Sequence, residues 1–222
     1  FEDINAEIPE DIAKHFVYPE YLYSIQADVL KQYHQVQPEV LFRSDDVWNT
    51  AKENTSKVTT LVGTDIKPYY TAVKTVDNSE TILGLVLPYT INEKQNINAY
   101  LVGSYDGNGK KTLKLYKFNK DTAILGTLQL DTLVEQDEKI SAELKSIEVT
   151  GTKIEKNIIV IPVNNTLLYV EPIFQVLQNE NKTAPILKKV IVASGNKVAI
   201  GNTLEKALVN LLSQEAVSIK IE

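Results

Sequence analysis

The sequence of 222 residues contains no cysteine and no methionine, only two histidines and one tryptophan, and a single arginine. The lack of cysteine excludes disulfides and thiol chemistry, and it removes the usual structural zinc sites. Because the chain has no methionine, Phe1 is not a translation start. We therefore expect the chain to be an excised or processed segment of a longer polypeptide.

Long hydrophobic runs are also missing. The longest, "ILGLVLP" and "IIVIPV", are far shorter than the roughly 18–20 residues of a membrane-spanning helix, and both contain proline. The net charge is −6, and the acidity lies in residues 1–56, with 11 Asp and Glu against 4 Lys and Arg; residues 57–222 have 18 against 19. An acidic chain with Arg43 as its one arginine does not fit nucleic acid, whose phosphates attract clustered Lys and Arg.

The composition that remains, 43% hydrophobic and 23% charged, is that of a globular protein with a buried core. The order of helical and strand-like patterns predicts an α+β fold, in which N-terminal helices pack on a mainly antiparallel sheet and the chain closes with a hairpin and a helix. We expect a single domain over 1–222, with a helical subregion at 1–56 and a sheet-rich subregion at 57–222.

Two helices are predicted in the N-terminal part. In "YPEYLYSIQADVLKQYHQVQP", Pro19 and Glu20 suit the first turn, and apolar residues recur at the 3.6-residue period until Pro38. The recurring residues are Leu22, Ile25, Val29 and Tyr33. In "SDDVWNTAK", Ser44 suits an N-cap, which predicts a second, short helix carrying Trp48.

From about residue 58 the pattern changes to short β-prone runs. "YYTAVKTV", "TILGLVLPY", "INAYLVGSY" and "TLKLYKF" are joined by turn residues, including "DNSE" and "DGNG", which predicts antiparallel hairpins. A polar helical segment follows in "LDTLVEQDEKISAELKS", with Leu133, Ile140 and Leu144 as its expected buried residues. Strands return in "NIIVIPV", "TLLYVEPIF", "KKVIVAS" and "KVAIG", and a last helix is expected at about 204–212.

The glycines near the C-terminus do not match a phosphate-binding loop. "GNKVAIGNT" lacks the Gly-Lys-Ser/Thr ending of a Walker motif and the Gly-x-Gly-x-x-Gly of a dinucleotide fold. We expect a hairpin turn at Gly195, the end of a strand at Gly201 and a helix N-cap at Thr203. Likewise "YDGNGKK" has Lys110 where a calcium loop needs a third oxygen ligand, so it favours a hairpin turn.

Three residues are candidates for chemistry. His15 and His34 are the only histidines, and about 25 Å of helix would separate them, too far to share a metal. Each could act as a general base, with Glu20 behind it, or could be a hydrogen-bonded structural histidine. Glu171 interrupts an apolar strand beside Pro172, and the simpler explanation is that it lies at a strand end and pairs with a lysine.

Four motifs occur in order along the chain: His-x-x-Tyr-Pro-Glu from His15, Tyr-His ending at His34, "LYVEP" from Leu168 and Gly-x-Thr-Leu-Glu-x-Ala-Leu from Gly201. Taken together, they resemble uncharacterised protein family 0182, which comprises large bacterial polytopic membrane proteins. Val17 stands where the family commonly has arginine. Within these motifs, the candidate binding residues are His15, Tyr18, Glu20, His34, Tyr169 and Glu171.

The resemblance implies a domain on the extracellular face of the cell membrane, whose partner is the membrane-embedded part of the same polypeptide. It implies no activity, and the sequence contains no catalytic signature, metal motif or cofactor motif. The first hypothesis is therefore a binding or scaffold module with an unidentified ligand. The alternative is a hydrolase that acts on the cell envelope through paired carboxylates. A third hypothesis, assembly into a homo-oligomer, predicts an exposed apolar patch.

Overall fold

A computed structural model describes residues 9–44, 46–56, 63–74, 81–91, 94–105, 110–119, 123–149, 151–163, 166–177 and 184–218. They form an α+β structure with antiparallel sheets, as the sequence predicts. The chain divides into two compact units, one of residues 1–51 and 66–122, the other of residues 52–65 and 123–222. The predicted division after residue 56 is not a boundary of either unit, and the single domain over 1–222 stays a prediction.

The first unit contains three helices before its sheet. They are α1 (Glu10–Ala13), α2 (Glu20–Tyr33) and α3 (Pro38–Arg43). Helix α2 follows Pro19, as predicted, and packs through Tyr23 and Ala27, which are buried. The Tyr23 hydroxyl donates to the Leu101 carbonyl at 2.9 Å, and the Tyr89 hydroxyl donates to the Ala27 carbonyl at 2.9 Å. The helix is therefore fixed to the sheet by buried tyrosines.

The predicted second helix around Trp48 is wrong. Pro38 occupies the first turn of α3 instead of ending a helix, because its fixed φ suits that position. Ser44 follows α3 as a C-cap in the left-handed conformation, with φ 57°, so it ends a helix and begins none. Trp48 lies on a strand and is buried against Tyr89, with the ring centroids 5.6 Å apart.

The first unit has one five-stranded antiparallel sheet within its described residues. Its strands are β1 (Trp48–Thr50), β4 (Tyr69–Lys74), β5 (Thr81–Ile91), β6 (Ile97–Tyr105) and β7 (Lys111–Lys117). Strand β5 pairs with β4, β1 and β6, and β6 pairs with β7. The antiparallel pairing of the predicted strands is confirmed, while the turns "DNSE" and "DGNG" lie outside the described residues.

The second unit has a separate sheet with helices on both faces. Its elements are β2 (Lys52–Glu53), β3 (Thr64–Asp65), α4 (Thr127–Gln136), α5 (Glu138–Ile147), β8 (Thr152–Lys156), β9 (Ile159–Val163), β10 (Thr166–Leu177), β11 (Ile186–Ser194), β12 (Lys197–Gly201) and α6 (Leu204–Ser218). The main sheet has the order β12-β11-β10-β8, with β9 also paired to β10, and β2 and β3 form a small pair. The prediction that N-terminal helices pack on one sheet is therefore wrong. Each unit has its own sheet, and helices of the same unit cover the apolar surface of that sheet.

Alternate residues of β10 contact different helices. Val170 packs with Val192, Ala207 and Leu211 in the core beneath α6. On the opposite face, the Gln175 amide donates to the Ile147 carbonyl at 2.6 Å, at the end of α5. This period of two is that of a strand covered on both faces. The predicted polar helical segment is divided at Asp137, whose carboxylate caps α5 by accepting from the Ile140 N–H at 2.9 Å.

The C-terminal hairpin and helix follow the sequence prediction. Gly195 has φ 59° in the turn between β11 and β12. The Thr203 hydroxyl accepts from the Lys206 N–H at 3.3 Å at the start of α6. Gly201 lies so close to α6 that an added Cβ would be 2.4 Å from the Ala207 nitrogen. Glycine at 201 is therefore needed for close packing of the helix on the strand.

Candidate functional site

The candidate site begins with the register of two neighbouring strands in the second unit. Lys156 of β8 is opposite Ile173 of β10. Because side chains alternate along a strand, Glu171 projects from the same face as Ile173, one position away diagonally from Lys156. The Lys156 Nζ is 3.0 Å from the Glu171 Oε1. Both side chains are buried, with 8% and 3% of their surfaces exposed.

Helix α4 and strand β2 complete a cluster of charged and polar groups around the lysine. Asp131 of α4 forms an ion pair through its Oδ1 with the Lys156 Nζ. Its Oδ2 accepts from the Asn54 amide at 2.7 Å. The Glu53 Oε2 accepts from the Ile158 N–H at 2.8 Å. We call these residues the Lys156 cluster: Glu53, Asn54, Asp131, Lys156 and Glu171.

The electrostatics of the Lys156 cluster raise the pKa of Glu171, so that this side chain is neutral well below pH 7 and ionised well above it. Burial raises the pKa of Glu171 to about 7, with further raising by the negative charges of Asp131 and Glu53, although Lys156 lowers it. Its Oε2 is buried and has no hydrogen-bond partner among the described residues. Burial lowers the pKa of Lys156, but Glu171 and Asp131 together outweigh that effect and raise it. Burial likewise raises the pKa of Glu53.

A cavity of about 310 Å³ lies against this cluster, between the α4–α5 pair and the sheet. Its volume is at the small end of the roughly 300–1,000 Å³ that is typical of ligand sites. Its wall contains four aliphatic residues, Val134, Leu144, Ile154 and Ile173, and five polar or charged ones, Asp131, Glu135, Ser141, Lys145 and Lys156. A mainly apolar cavity with a few placed polar groups can hold a small organic ligand.

Two of the predicted binding residues lie on the face of β10 that carries this site. Glu171 pairs with a lysine, as the simpler explanation predicts, but it lies in the interior of β10 and not at a strand end. The strand accommodates it there because Lys156 supplies the opposite charge. Tyr169 is buried and donates its hydroxyl to the Leu125 carbonyl.

The other four predicted residues lie in the first unit. His15 and Glu20 are exposed. Tyr18 is buried, its hydroxyl donates to the Gln26 Oε1 at 2.6 Å, and its ring meets Tyr23 edge-on. As binding residues they stay predictions.

His34 is part of a stacked aromatic group in the first unit. Its ring is 3.5 Å from the Trp48 ring, with 14° between their planes. Its Nδ1 donates to the Leu30 carbonyl at 2.8 Å, and its Nε2 is 3.6 Å from the Asp46 Oδ2. Lys117 lies over the Trp48 ring, 5.2 Å from its centroid. One hydrogen bond and the stacking on Trp48 thus hold the ring in place, and His34 as a binding residue stays a prediction.

Sequence reasoning missed most of the Lys156 cluster. Asp131 had a detectable signal, because it lies next to Leu130 and three residues before Val134, among the buried positions of α4. Lys156 had a weaker one, since it follows the buried Ile154 by two residues on the same strand face. The sequence around Glu53 and Asn54 contains no such signal, because 75 or more residues separate these two residues from their partners.

Comparison with known proteins identifies the family. The model of an uncharacterised protein family, UPF0182, matches residues 1–147. A UPF0182 protein of Caldicellulosiruptor saccharolyticus is 34% identical over 97% of this chain and 24% of its own length. One of Desulforamulus reducens is 34% identical over 96% and 22%, and one of Trichodesmium erythraeum is 36% identical over 91% and 19%. The chain therefore belongs to family UPF0182, and it spans about a quarter or less of these relatives.

No solved structure matches the chain. In the described residues, no helix is long and apolar enough to cross a membrane. No group of three or more His, Asp or Glu side chains in that part of the chain is arranged to hold a metal ion.

Proposed function

We propose that this chain is an extracytoplasmic domain of a bacterial multi-pass membrane protein, and that its second unit binds a small, mainly apolar ligand. The family resemblance supports the membrane context, and the coverage of only 19–24% of the relatives described above supports a place in a longer polypeptide. The cavity of about 310 Å³ between the α4–α5 pair and the sheet carries the binding proposal.

The Lys156 cluster defines the polar end of that ligand. An ammonium group has three donors, and two carboxylates, those of Asp131 and Glu171, accept from Lys156. Lys156 also lines the cavity, so we expect its third donor to serve a ligand there. The charged side chains of the wall balance, with Asp131 and Glu135 against Lys145 and Lys156, so the cavity offers no net charge to an ionic ligand. The favoured ligand therefore combines an aliphatic body with an uncharged acceptor, such as an ester or amide carbonyl.

The alternative, a hydrolase with paired carboxylates, has less support from the geometry. Glycosidase carboxylates face each other across the space that holds the scissile bond, with about 5–9.5 Å between them. Here the ammonium of Lys156 contacts both Asp131 and Glu171. Asp131 lines the cavity and Glu171 does not. The two carboxylates are thus arranged to neutralise a cation.

Fluorescence of N-phenyl-1-naphthylamine, a neutral apolar probe, tests the proposal on the 222-residue protein. We expect the wild type to bind the probe, and Leu144→Trp, which fills the cavity, to weaken binding at least about tenfold. Leu212→Trp is the matched control, because Leu212 is 59% exposed on α6. Equal binding by all three proteins, or none by the wild type, would contradict a ligand site in this cavity.

Displacement of the probe tests the ligand class. A medium-chain methyl ester is expected to displace it at lower concentration than the alkane or the carboxylate of equal length. If the ester, the alkane and the carboxylate displaced the probe equally well, Lys156 would have no part in ligand recognition. Recovery of the ester intact supports binding, whereas its hydrolysis above the buffer rate, abolished by Glu171→Gln, would establish the hydrolase instead.

A further inference from the structure

The second unit contains another cavity, a cleft of about 390 Å³. Side chains of α5, β11 and β12 and of the first half of α6 form its wall. Among the residues that the structure describes, it shares no lining residue with the cavity beside the Lys156 cluster. Its volume is within the range of roughly 300–1,000 Å³ that is typical of ligand sites. We call it the α6 cleft.

The α6 cleft lies where the pairing of β11 with β12 ends. The last pair is Val190 with Gly201. The next residues along, Lys189 and Asn202, both line the cleft. The Lys189 Nζ donates to the Asn202 Oδ1 at 2.7 Å and to the Glu143 Oε2 of α5 at 2.7 Å. One ammonium group therefore connects α5 with the turn between β12 and α6.

The motif Gly-x-Thr-Leu-Glu-x-Ala-Leu, which begins at Gly201, supplies another part of the wall. Gly201 packs against Ala207, and the Thr203 hydroxyl caps α6. Glu205 is exposed in the first turn of α6 and lines the cleft. The segment that fixes α6 on the sheet therefore also places a carboxylate at the cleft.

The wall of the α6 cleft is mainly polar and carries no net charge. Six of its nine residues have polar or charged side chains: Glu143, Lys189, Asn202, Glu205, Lys206 and Asn210. Two carboxylates thus balance two ammonium groups. The Asn210 amide donates to the Ile200 carbonyl at 2.8 Å, which holds it in place. The aliphatic side chains of this wall are those of Ile200 and Val209, whereas the first cavity has four.

We propose that the α6 cleft is a binding site for an uncharged sugar. Each sugar hydroxyl both donates and accepts hydrogen bonds, which suits a wall of carboxylates, ammonium groups and amides. The C–H groups of a sugar ring suit the aliphatic side chains of Ile200 and Val209. This inference does not depend on the ligand proposed for the first cavity.

The wall disfavours three other kinds of small ligand. An aliphatic ligand would leave polar groups of the wall without hydrogen bonds in the complex, which costs free energy. A ligand with a net charge would find no opposite net charge. A zwitterion, such as an amino acid, would compete with the ion pair of Glu143 and Lys189, which already neutralise each other at 2.7 Å.

Saturation-transfer difference NMR with the 222-residue protein tests the proposal. The uncharged probes are glucose, galactose and N-acetylglucosamine. The charged probes are glucosamine, glucuronate and serine, which are a cation, an anion and a zwitterion. We expect at least one uncharged sugar to bind several times more tightly than every charged probe. Binding by none of the three uncharged sugars, or tighter binding by a charged probe, would overturn the proposal.

A matched pair of variants locates the site. Val209 and Leu212 are both 59% exposed on α6, and of the two only Val209 lines the cleft. Val209→Trp, which fills the cleft, is expected to weaken sugar binding at least about tenfold, and Leu212→Trp to leave it unchanged. Equal affinities of the two variants would place the sugar elsewhere and contradict the assignment. Val209→Trp should still bind N-phenyl-1-naphthylamine as the wild type does, so failure of one proposal is distinguishable from failure of the other.

Asn202→Ala separates recognition from stability. Because Asn202 is exposed, its loss is expected to change the melting temperature by less than about 2 °C. Sugar affinity should fall several-fold, since the wall loses an amide that can donate and accept. Unchanged affinity would show that the polar wall does not bind the sugar.

Discussion

Glu171 lies in the interior of β10 with its Oε1 3.0 Å from the Nζ of Lys156 on the neighbouring strand. Its second oxygen is buried and has no hydrogen-bond partner among the described residues. Lys156 also pairs with Asp131, so one cation serves two carboxylates. The stability of the second unit should therefore depend on the protonation of Glu171.

Stability is expected to fall as the pH rises from about 4.5 to above 7. The pKa of Glu171 is raised from its ordinary value of 4.5 to about 7 in the folded protein. The folded state therefore binds the proton more tightly than the unfolded state does. The stability gained in this way is complete below the unfolded pKa and is lost as the pH rises through the folded pKa, a change on the order of 3 kcal/mol.

Urea denaturation of Glu171→Gln at several values between pH 4.5 and pH 8 measures this effect. The variant should lose that part of the pH dependence, so its stability relative to the wild type rises with pH. Glu155→Gln is the matched control, because the Glu155 side chain is 45% exposed on β8 and pairs with Lys153. Parallel curves for Glu171→Gln and the wild type would show that the pKa of Glu171 does not change on folding.

Lys156→Met is expected to destabilise the protein by about 3–5 kcal/mol at pH 8, because it leaves buried carboxylates without a cation. The cost should be smaller at pH 5, where Glu171 is neutral, and adding Glu171→Gln should recover part of it. Lys153→Met, on the same strand with a side chain 51% exposed, should cost less than about 1 kcal/mol. Equal costs for the two lysine variants in denaturant titrations would contradict the cluster.

Gly201→Ala is expected to cost about 3 kcal/mol or more, because the new methyl group would be 2.4 Å from the Ala207 nitrogen and backbone must move. Gly195→Ala provides the comparison. It has open space around it and only the strain of φ 59°, which costs about 1–2 kcal/mol. Thermal denaturation of both variants shows which one loses more stability. A Gly201→Ala protein as stable as the Gly195→Ala protein would contradict the close packing of α6.

Loss of either tyrosine hydrogen bond between α2 and the sheet is expected to loosen α2 locally. Tyr23→Phe and Tyr89→Phe should each cost about 1 kcal/mol, since each removes one buried hydrogen bond. Amide exchange should quicken mainly in α2. Tyr33→Phe, at a position 64% exposed, should change neither stability nor exchange. Uniform quickening throughout the first unit would show that α2 and its sheet open together.

Local sequence patterns predicted those elements whose causes are local. The 195–203 segment is an example, because Gly195, Gly201 and Thr203 each act on backbone within a few residues. Trp48 is a counterexample. Ser44 and its acidic neighbours match a helix start, but pairing of Trp48 with Ile91, more than 40 residues away, places it on a strand.

The helical period of α2 was also predictable, but its orientation was not. Leu22, Ile25, Val29 and Tyr33 have the spacing of a buried face, yet Tyr23 and Ala27 occupy the interface with the sheet. The hydroxyl of Tyr23 needs an acceptor when buried, and Leu101 supplies it only after the sheet has formed.

Residue patterns alone were enough to predict the α+β class, the antiparallel pairing, the C-terminal hairpin with its helix, and the resemblance to family UPF0182. These depend on backbone conformation and hydrophobic period, which neighbouring residues set. The division into two units and the Lys156 cluster became visible only in the folded chain. Burial of a charge depends on which distant strands and helices meet around it, and Glu53, Asp131 and Glu171 come from three separate parts of the chain.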